Sequence, residues 1–221
     1  MSWVLRAVTS PVGAKVVMAV TGLALIGFVI IHMLGNFLVY LGPEAINSYA
    51  EGLRKLGGLL WLARIGLLVA FVVHIAMAVK LTLANKAARP VGYQYKATVK
   101  ASLASRLMPQ TGFVILAFLI YHLAHLTFRL TDASFQELGP FDVYTMVVRS
   151  FSDPVVAGTY IVAMIALGLH LYHGASSLWQ SLGINHPRWN KCLRMIGPVL
   201  GIVLALGNIS IPVSIFLGII K

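Results

Sequence analysis

Val16–Leu41 reads VVMAVTGLALIGFVIIHMLGNFLVYL, and histidine is the only titratable side chain within its apolar run before Tyr40. About 20 consecutive apolar residues are enough to cross the hydrocarbon core of a bilayer as an α-helix. The stretch is too long for the hydrophobic core of a signal peptide, and no small-residue cleavage site follows it. It therefore predicts a first membrane-spanning helix.

Four further segments have similar length and hydropathy: Leu59–Ala84, Met108–Leu130, Pro154–Gln180 and Ile196–Ile220. The composition also indicates a membrane protein, since 59% of the 221 residues are hydrophobic and only 10% are charged, against about 25% charged in a soluble domain. One cysteine, Cys192, excludes an intrachain disulfide and a cysteine-based metal or iron–sulfur site. We predict an all-α membrane protein in which residues 1–221 form one five-helix bundle, without an internal repeat or a soluble domain.

The charges of the connecting segments predict the orientation. All six acidic residues fall in the first-to-second and third-to-fourth connections. The other three polar regions contain no acid and carry eleven basic residues: Arg6, Lys15, Lys80, Lys86, Arg89, Lys96, Lys100, Arg106, Arg188, Lys191 and Arg194. The positive-inside rule then places the N-terminus in the cytoplasm and the C-terminus outside. The same basic residues are candidates for docking a cytoplasmic partner, although topology alone explains them.

Six of the seven histidines lie inside the predicted spans: His32, His74, His122, His125, His170 and His173. Ionisable residues within a membrane are rare and usually face the interior of the bundle. Any one of these histidines is explained by packing and hydrogen bonding alone. Four successive spans that each supply a histidine, followed by a fifth that supplies none, favour a shared site.

The depths of the histidines favour haem. At about 1.5 Å per residue, His32 and His122 lie in the outer half of the bilayer, whereas His74 and His173 lie in the inner half. Facing helices with histidines at matched depth are what bis-histidine haem needs in a bundle core. Two stacked haems would carry electrons across the bilayer. Zinc is less suited, because neither pair has thiolate or carboxylate companions.

The remaining histidines leave alternatives open. His125 lies nearer the outer interface than His122 does, and depth does not decide between His170 and His173. Small neighbours at 174–176 favour His173, since they leave room for a macrocycle. The spare histidines bond a propionate or a quinone, or simply pack. Candidate donors to the inner propionates are Lys15, Arg106, Ser176 and Trp179.

Three segments carry a family resemblance: MAVTGLALIGFVIIHMLGN (Met18–Asn36), TGFVILAFLIYH (Thr111–His122) and LYHGASSLWQSLG (Leu171–Gly183). They resemble the cytochrome b558 membrane-anchor subunit of succinate dehydrogenases and fumarate reductases. More narrowly, the chain resembles the single-chain, five-helix, dihaem type over nearly its whole length.

The resemblance implies four axial ligands, one on each of the first four spans. His32 and His122 would bind the outer haem iron, and His74 and His173 the inner haem iron. His122 corresponds to the family ligand that comes ten residues after the glycine of the third-span motif, Gly112. His173 corresponds to the ligand that directly precedes a glycine on the fourth span.

The resemblance also implies the partners and the location. Two haems b belong to this chain, whereas FAD and iron–sulfur clusters belong to a flavoprotein subunit and an iron–sulfur subunit on the cytoplasmic face. The chain would anchor these subunits in the bacterial inner membrane, within a complex that can dimerise, and would pass electrons between their clusters and membrane menaquinone. Neither dicarboxylate chemistry nor nucleic-acid binding is expected of it. Glu51 is the candidate for proton transfer to quinone near the outer haem.

Two other classes are weighed against this interpretation. A cytochrome b subunit of a hydrogenase or formate dehydrogenase would place its catalytic partner outside, whereas the basic loops favour a partner inside. A transporter with a histidine proton relay would be expected to carry membrane carboxylates, and none of the six acids lies deep in a span. The direction of the reaction, succinate oxidation or fumarate reduction, is left open.

Overall fold

The structure is a computed structural model that describes residues 10–89, 91–92, 94–95, 98 and 101–221. Within these residues the α-helices are α1 (Pro11–Asn36), α2 (Pro43–Lys55), α3 (Gly58–Ala87), α4 (Leu103–Arg106), α5 (Met108–His122), α6 (Val143–Ser152), α7 (Pro154–Ser181) and α8 (Pro187–Phe216). Five of them, α1, α3, α5, α7 and α8, are long and apolar enough to cross a membrane. The predicted all-helical, five-span class is confirmed. The basic residues Arg6, Lys96 and Lys100 lie outside the described part of the chain.

Short polar side chains cap the N-termini of two of the long helices. Ser10 Oγ accepts a hydrogen bond from Gly13 N–H at 3.0 Å, and Pro11 follows as the first helical residue of α1. Asp153 does the same for α7, where Oδ1 accepts from Val155 N–H at 2.7 Å. Capping oxygens satisfy amide groups that the first turn leaves unpaired, and proline has no amide hydrogen to lose there.

Helix α7 lies at the centre of the bundle, where it packs against α1, α5 and α8. Helix α3 packs against α1, and no residue of α3 is buried by protein. The two ends of the bundle differ in structure. We call them the α2–α6 end, where the amphipathic helices α2 and α6 pack together, and the α4 end, where α4 packs against α7.

Small residues allow α7 and α8 to approach closely. Gly197, Gly201 and Ala205 repeat every fourth residue on α8, and a Cβ atom at Gly201 would lie 2.5 Å from the carbonyl oxygen of Gly168 on α7. Such small-residue stripes bring helix backbones together in membranes, where packing and polar contacts replace the hydrophobic effect as the force that joins helices.

The α2–α6 end is tied together by polar contacts. Asn47 Oδ1 on α2 accepts hydrogen bonds from the first amides of α6, Val143 N–H at 3.0 Å and Tyr144 N–H at 2.9 Å. Helix α5 continues into a π-helical turn over Leu123–Thr127. The chain then reverses at Arg129, whose positive φ of 54° accompanies guanidinium bonds to loop carbonyls, including that of Phe135 at 3.1 Å.

Candidate functional site: two histidine pairs

The first pair joins α1 to α5 near the α2–α6 end. The imidazole centroids of His32 and His122 lie 5.9 Å apart, with the ring planes perpendicular. Each ring rests on a phenylalanine one turn earlier on its own helix: Phe28 lies 5.3 Å from His32, and Phe118 lies 5.6 Å from His122. Within the described residues the one hydrogen bond of this pair joins His122 Nδ1 to the Tyr160 hydroxyl at 3.3 Å.

The second pair joins α3 to α7 nearer the α4 end. The centroids of His74 and His170 lie 6.5 Å apart. The nitrogen Nδ1 of His74 lies 3.2 Å from Thr21 Oγ1 and 3.1 Å from the carbonyl oxygen of Met18. Similarly, Nδ1 of His170 lies 3.2 Å from Thr111 Oγ1. Each imidazole is therefore held at Nδ1 by the neighbouring helix.

These contacts determine which nitrogen carries the proton. Thr21 Oγ1 donates its hydrogen to the carbonyl of Val17 at 2.8 Å, and Thr111 Oγ1 donates to that of Leu107 at 2.9 Å. Each hydroxyl can then only accept from the imidazole, so Nδ1 of both histidines is the donor. In a neutral ring the lone pair is left on Nε2. Within the described residues Nε2 of His74 and of His170 makes no hydrogen bond.

The two pairs are built from a repeated motif that the sequence analysis missed. Both α1 and α5 carry the pattern TG-x5-F-x3-H, beginning at Thr21 and at Thr111. The glycine of each motif faces the histidine that the threonine holds: a Cβ at Gly22 would lie 3.2 Å from His74, and one at Gly112 would lie 3.6 Å from His170. The motif is short and is visible in the sequence.

The spacing of the motif sets the distance between the two pairs. Threonine and histidine are eleven residues apart in each copy, so the pairs lie about 16 Å apart along the helices. Both levels fit within a hydrocarbon core about 30 Å thick. Two imidazoles on opposite sides of one metal ion have centroids about 6 Å apart, because the metal–nitrogen bonds are about 2 Å and each nitrogen lies about 1 Å from its ring centroid. Both observed separations are close to this value.

His173 lies in a different environment from the two pairs. It lines a cavity of about 290 Å³ at the α4 end, together with four serines, Gln180 and Arg194. The small residues after it serve the packing of the bundle: Ala175 is 1% exposed in a cluster with Ala19, and Ser176 Oγ donates to the Arg194 carbonyl at 2.8 Å. The geometry thus brings His32, His122 and His74 into facing pairs and places His170, rather than His173, opposite His74.

His125 is buried beside the first pair, with 2% of its surface exposed. Its Nδ1 lies 3.0 Å from the same Tyr160 hydroxyl that His122 contacts, and its Nε2 lies 3.2 Å from Ser150 Oγ. It also lines a cavity of about 350 Å³ that contains Asp132 and Asp153.

Glu51 is not among the residues that line this cavity. It forms an exposed ion pair with Lys55 at 2.8 Å within α2, and its proposed role stays a prediction. Asp132 does line the cavity, and the pKa of its carboxyl is shifted. Hydrogen bonds from the side chain and backbone of Ser134 hold the pKa of the Asp132 carboxyl below its ordinary value.

One buried polar atom in the described part of the chain has no partner. The indole Nε1 of Trp179 is buried and makes no hydrogen bond, although a buried N–H left unpaired costs about 1–3 kcal/mol. Trp179 packs against the cluster of Ala19, Ala175 and Leu178. Trp179 follows His170 by nine residues on α7, so this donor lies about 13 Å from the second pair in the direction of the α4 end.

Comparison with known proteins does not assign a family or a function to this arrangement of residues. The chain matches no protein-family model, and no curated protein and no solved structure is similar to it at a significant level.

Proposed function

We propose that this chain is a dihaem cytochrome b of a membrane, and that it carries electrons between the two faces of the bilayer. The observation that supports this proposal is the pair of facing imidazoles at each of two levels, with centroids 5.9 Å and 6.5 Å apart. Haem b, when held by such pairs, supplies a one-electron carrier.

The chemistry of the donor set favours haem over a bare metal ion. No group of three or more His, Cys, Asp and Glu residues gathers anywhere in the described ranges. Two imidazoles alone leave most coordination positions of a metal ion unfilled, whereas a porphyrin supplies four nitrogens. The buried Trp179 Nε1, which has no partner among the described residues, is a ready donor to a propionate, and no residue of α3 is fully covered by protein.

Each histidine has a defined task in this proposal. His32 and His122 would hold one haem, and His74 and His170 would hold the other. His170 takes the place that the sequence resemblance suggested for His173, because His170 faces His74 and its Nδ1 is held by Thr111. The hydrogen bonds at Nδ1 orient the rings and raise the basicity of Nε2, as is usual for metal-bound histidines.

The orientation and the partners are part of the same proposal. In the sequence, the regions before the first span and between the second and third and the fourth and fifth spans carry eleven basic residues and no acid, whereas the rest of the chain carries six basic residues and all six acids. We place the α4 end in the cytoplasm by the positive-inside rule, which makes His32–His122 the outer pair and His74–His170 the inner pair. The basic face would then dock a flavoprotein and an iron–sulfur subunit of a succinate:quinone or quinol:fumarate oxidoreductase, and menaquinone would react near the outer pair.

The test is a reduced-minus-oxidised spectrum, with haem quantitation, of the chain purified with its bound partners. We expect two b-type haems per chain. His122→Ala and His170→Ala should each lose one haem, whereas the matched control His173→Ala should keep both.

The variants separate the parts of the proposal. A wild-type chain without haem would contradict the cytochrome function and favour a transporter. Loss of a haem in His173→Ala, with both retained in His170→Ala, would restore the assignment made from the sequence resemblance. Purification without flavin or iron–sulfur partners would leave a dihaem cytochrome but contradict the succinate or fumarate complex.

A further inference from the structure

A continuous line of hydrogen bonds leads from His122 to the backbone of α6. It passes from His122 Nδ1 to the Tyr160 hydroxyl at 3.3 Å, and from that hydroxyl to His125 Nδ1 at 3.0 Å. It continues from His125 Nε2 to Ser150 Oγ at 3.2 Å and ends at the carbonyl of Met146, 2.7 Å from Ser150 Oγ. The line thus joins three helices through one buried imidazole.

The final carbonyl determines the direction of every bond in the line. A carbonyl oxygen only accepts, so Ser150 donates to Met146 and must accept from His125 Nε2–H. In neutral His125 the other nitrogen, Nδ1, is then an acceptor, and the Tyr160 hydroxyl donates to it. The oxygen of Tyr160 is left to accept from His122 Nδ1–H. The lone pair of His122 therefore lies on Nε2.

We infer that His125 is a positioning residue for His122: through Tyr160 it holds the His122 imidazole in the tautomer whose Nε2 can bind a haem iron. This inference rests on the proposed haem function. It gives a role to the histidine that the family ligand pattern leaves without one.

The surroundings of His125 argue against its being a ligand itself. Both of its nitrogens are engaged, and its ring is stacked between Tyr121 at 5.3 Å and Phe135 at 5.6 Å. A ring with 2% of its surface exposed between two aromatic planes has little freedom to turn. The ring is therefore suited to holding a fixed hydrogen-bond direction.

The effect should be visible in the redox potential of the outer haem, meaning the haem that is lost in His122→Ala. His125→Leu removes the acceptor for the Tyr160 hydroxyl, which makes the Tyr160 oxygen a poorer acceptor and lowers the basicity of His122. A less basic ligand favours ferrous over ferric iron. We expect the relative affinity for the two states to change about tenfold, which is a rise of about 59 mV for a one-electron couple.

Two further variants make the test specific. His125→Gln keeps an amide oxygen to accept from Tyr160 and an amide nitrogen to donate to Ser150, so it should restore the wild-type potential. Tyr160→Phe removes the hydroxyl itself and should raise the same potential by at least as much. Ser150→Ala and Ser152→Ala form a matched pair, since each hydroxyl bonds the carbonyl four residues earlier but only Ser150 also reaches His125.

Redox titration of the wild type and variants, followed at the absorbance of each haem, decides between the outcomes. The inference holds if His125→Leu, Tyr160→Phe and Ser150→Ala raise the outer potential while His125→Gln and Ser152→Ala do not. Two haems with an unchanged potential in both His125→Leu and Tyr160→Phe would overturn it. Loss of a haem in His125→Leu that His125→Gln fails to restore would also overturn it, because His125 would then be a ligand. A wild type without haem would instead defeat the proposed function.

Discussion

Replacing Thr21 and Thr111 together by valine removes two hydroxyl groups without changing the shape of either side chain. In the native protein these hydroxyls accept hydrogen bonds from Nδ1 of His74 and His170, each at 3.2 Å. The double variant should weaken binding of the inner haem and leave the outer haem unchanged. Each inner imidazole loses its hydroxyl partner at Nδ1, whereas His122 is held by Tyr160 instead.

The contacts determine the expected size of the effect. A neutral hydrogen bond contributes about 1 kcal/mol net in proteins, and hydrogen bonds between membrane helices average about 0.6 kcal/mol. Two such bonds are therefore worth about 1.2–2 kcal/mol, and since about 1.4 kcal/mol corresponds to a factor of ten, haem affinity at the inner site should fall about tenfold. Thr21→Val alone should cost less, because it removes only one of these two bonds.

The assay is transfer of haem from the purified protein to an excess of a haem-free globin, followed spectroscopically. The inner haem should leave the double variant first. Thr159→Val is the control, since among the described residues Thr159 Oγ1 bonds only the Val155 carbonyl of its own helix, at 2.8 Å. Equal weakening of both haems, or unchanged transfer in the double variant, would refute the tautomer and orientation argument for His74 and His170.

Three further predictions concern the scaffold. Gly201→Leu should destabilise the protein by about 1–3 kcal/mol through overpacking, seen as a lower Tm in detergent. Gly27→Leu should be tolerated, because a Cβ there meets no atom of the described residues within 4 Å. Arg129→Ala should speed amide exchange across residues 130–140, because charged bonds to loop carbonyls worth about 1.5–3 kcal/mol each are lost. The depressed pKa of Asp132 means that its bonds to Ser134 stabilise the loop above the ordinary pKa of 3.8 and are lost as the pH falls through the lowered value. The protection of the Ser134 amide from exchange, relative to the unstructured rate at the same pH, should fall in that acid range, and Asp132→Asn should abolish this change in protection.

Hydropathy was sufficient to predict the long helices. Spans such as Met108–Leu130 and Pro154–Gln180 agree with the helical spans Met108–Thr127 and Pro154–Ser181 to within a few residues, because a bilayer demands a long apolar run. The short helices α2 and α6 were not predicted. They lie in connections that carry the acidic residues, where an amphipathic surface helix and a polar loop have similar composition.

The choice between His170 and His173 depended on the rotation of α7, which depth along the helix does not report. Three residues separate them, and both fit the inner half of the bilayer. The small residues that favoured His173 proved to pack against α1 and α8, as Ala175 and Ser176 do. The repeated TG-x5-F-x3-H motif indicates two similar levels, but it does not choose between His170 and His173, because the packing of α5 against α7 brings Thr111 to His170.

The line from His125 to Met146 was beyond prediction for a different reason. Ser150 lies on a short helix in a connection, and only the π-helical turn and the packing of α6 bring it to His125. Long-range side-chain bonds of this kind depend on how helices dock, and sequence periodicity carries no information about docking.

The two histidine pairs differ in what their hydrogen bonds connect them to. The inner pair is held by threonines whose hydroxyls donate to carbonyls of their own helices. The hydrogen bonds that start at the inner imidazoles and pass through these hydroxyls therefore end within α1 and α5. The outer pair is connected through Tyr160 and His125 to α6, beside a cavity that contains Asp132 and Asp153. A change in the position of α6 would therefore alter the basicity of His122 and leave His74 and His170 untouched. We place the outer pair nearest to quinone. In the proposed cytochrome, a molecule bound in the cavity at the α2–α6 end would therefore change the redox potential of the outer haem without changing that of the inner haem.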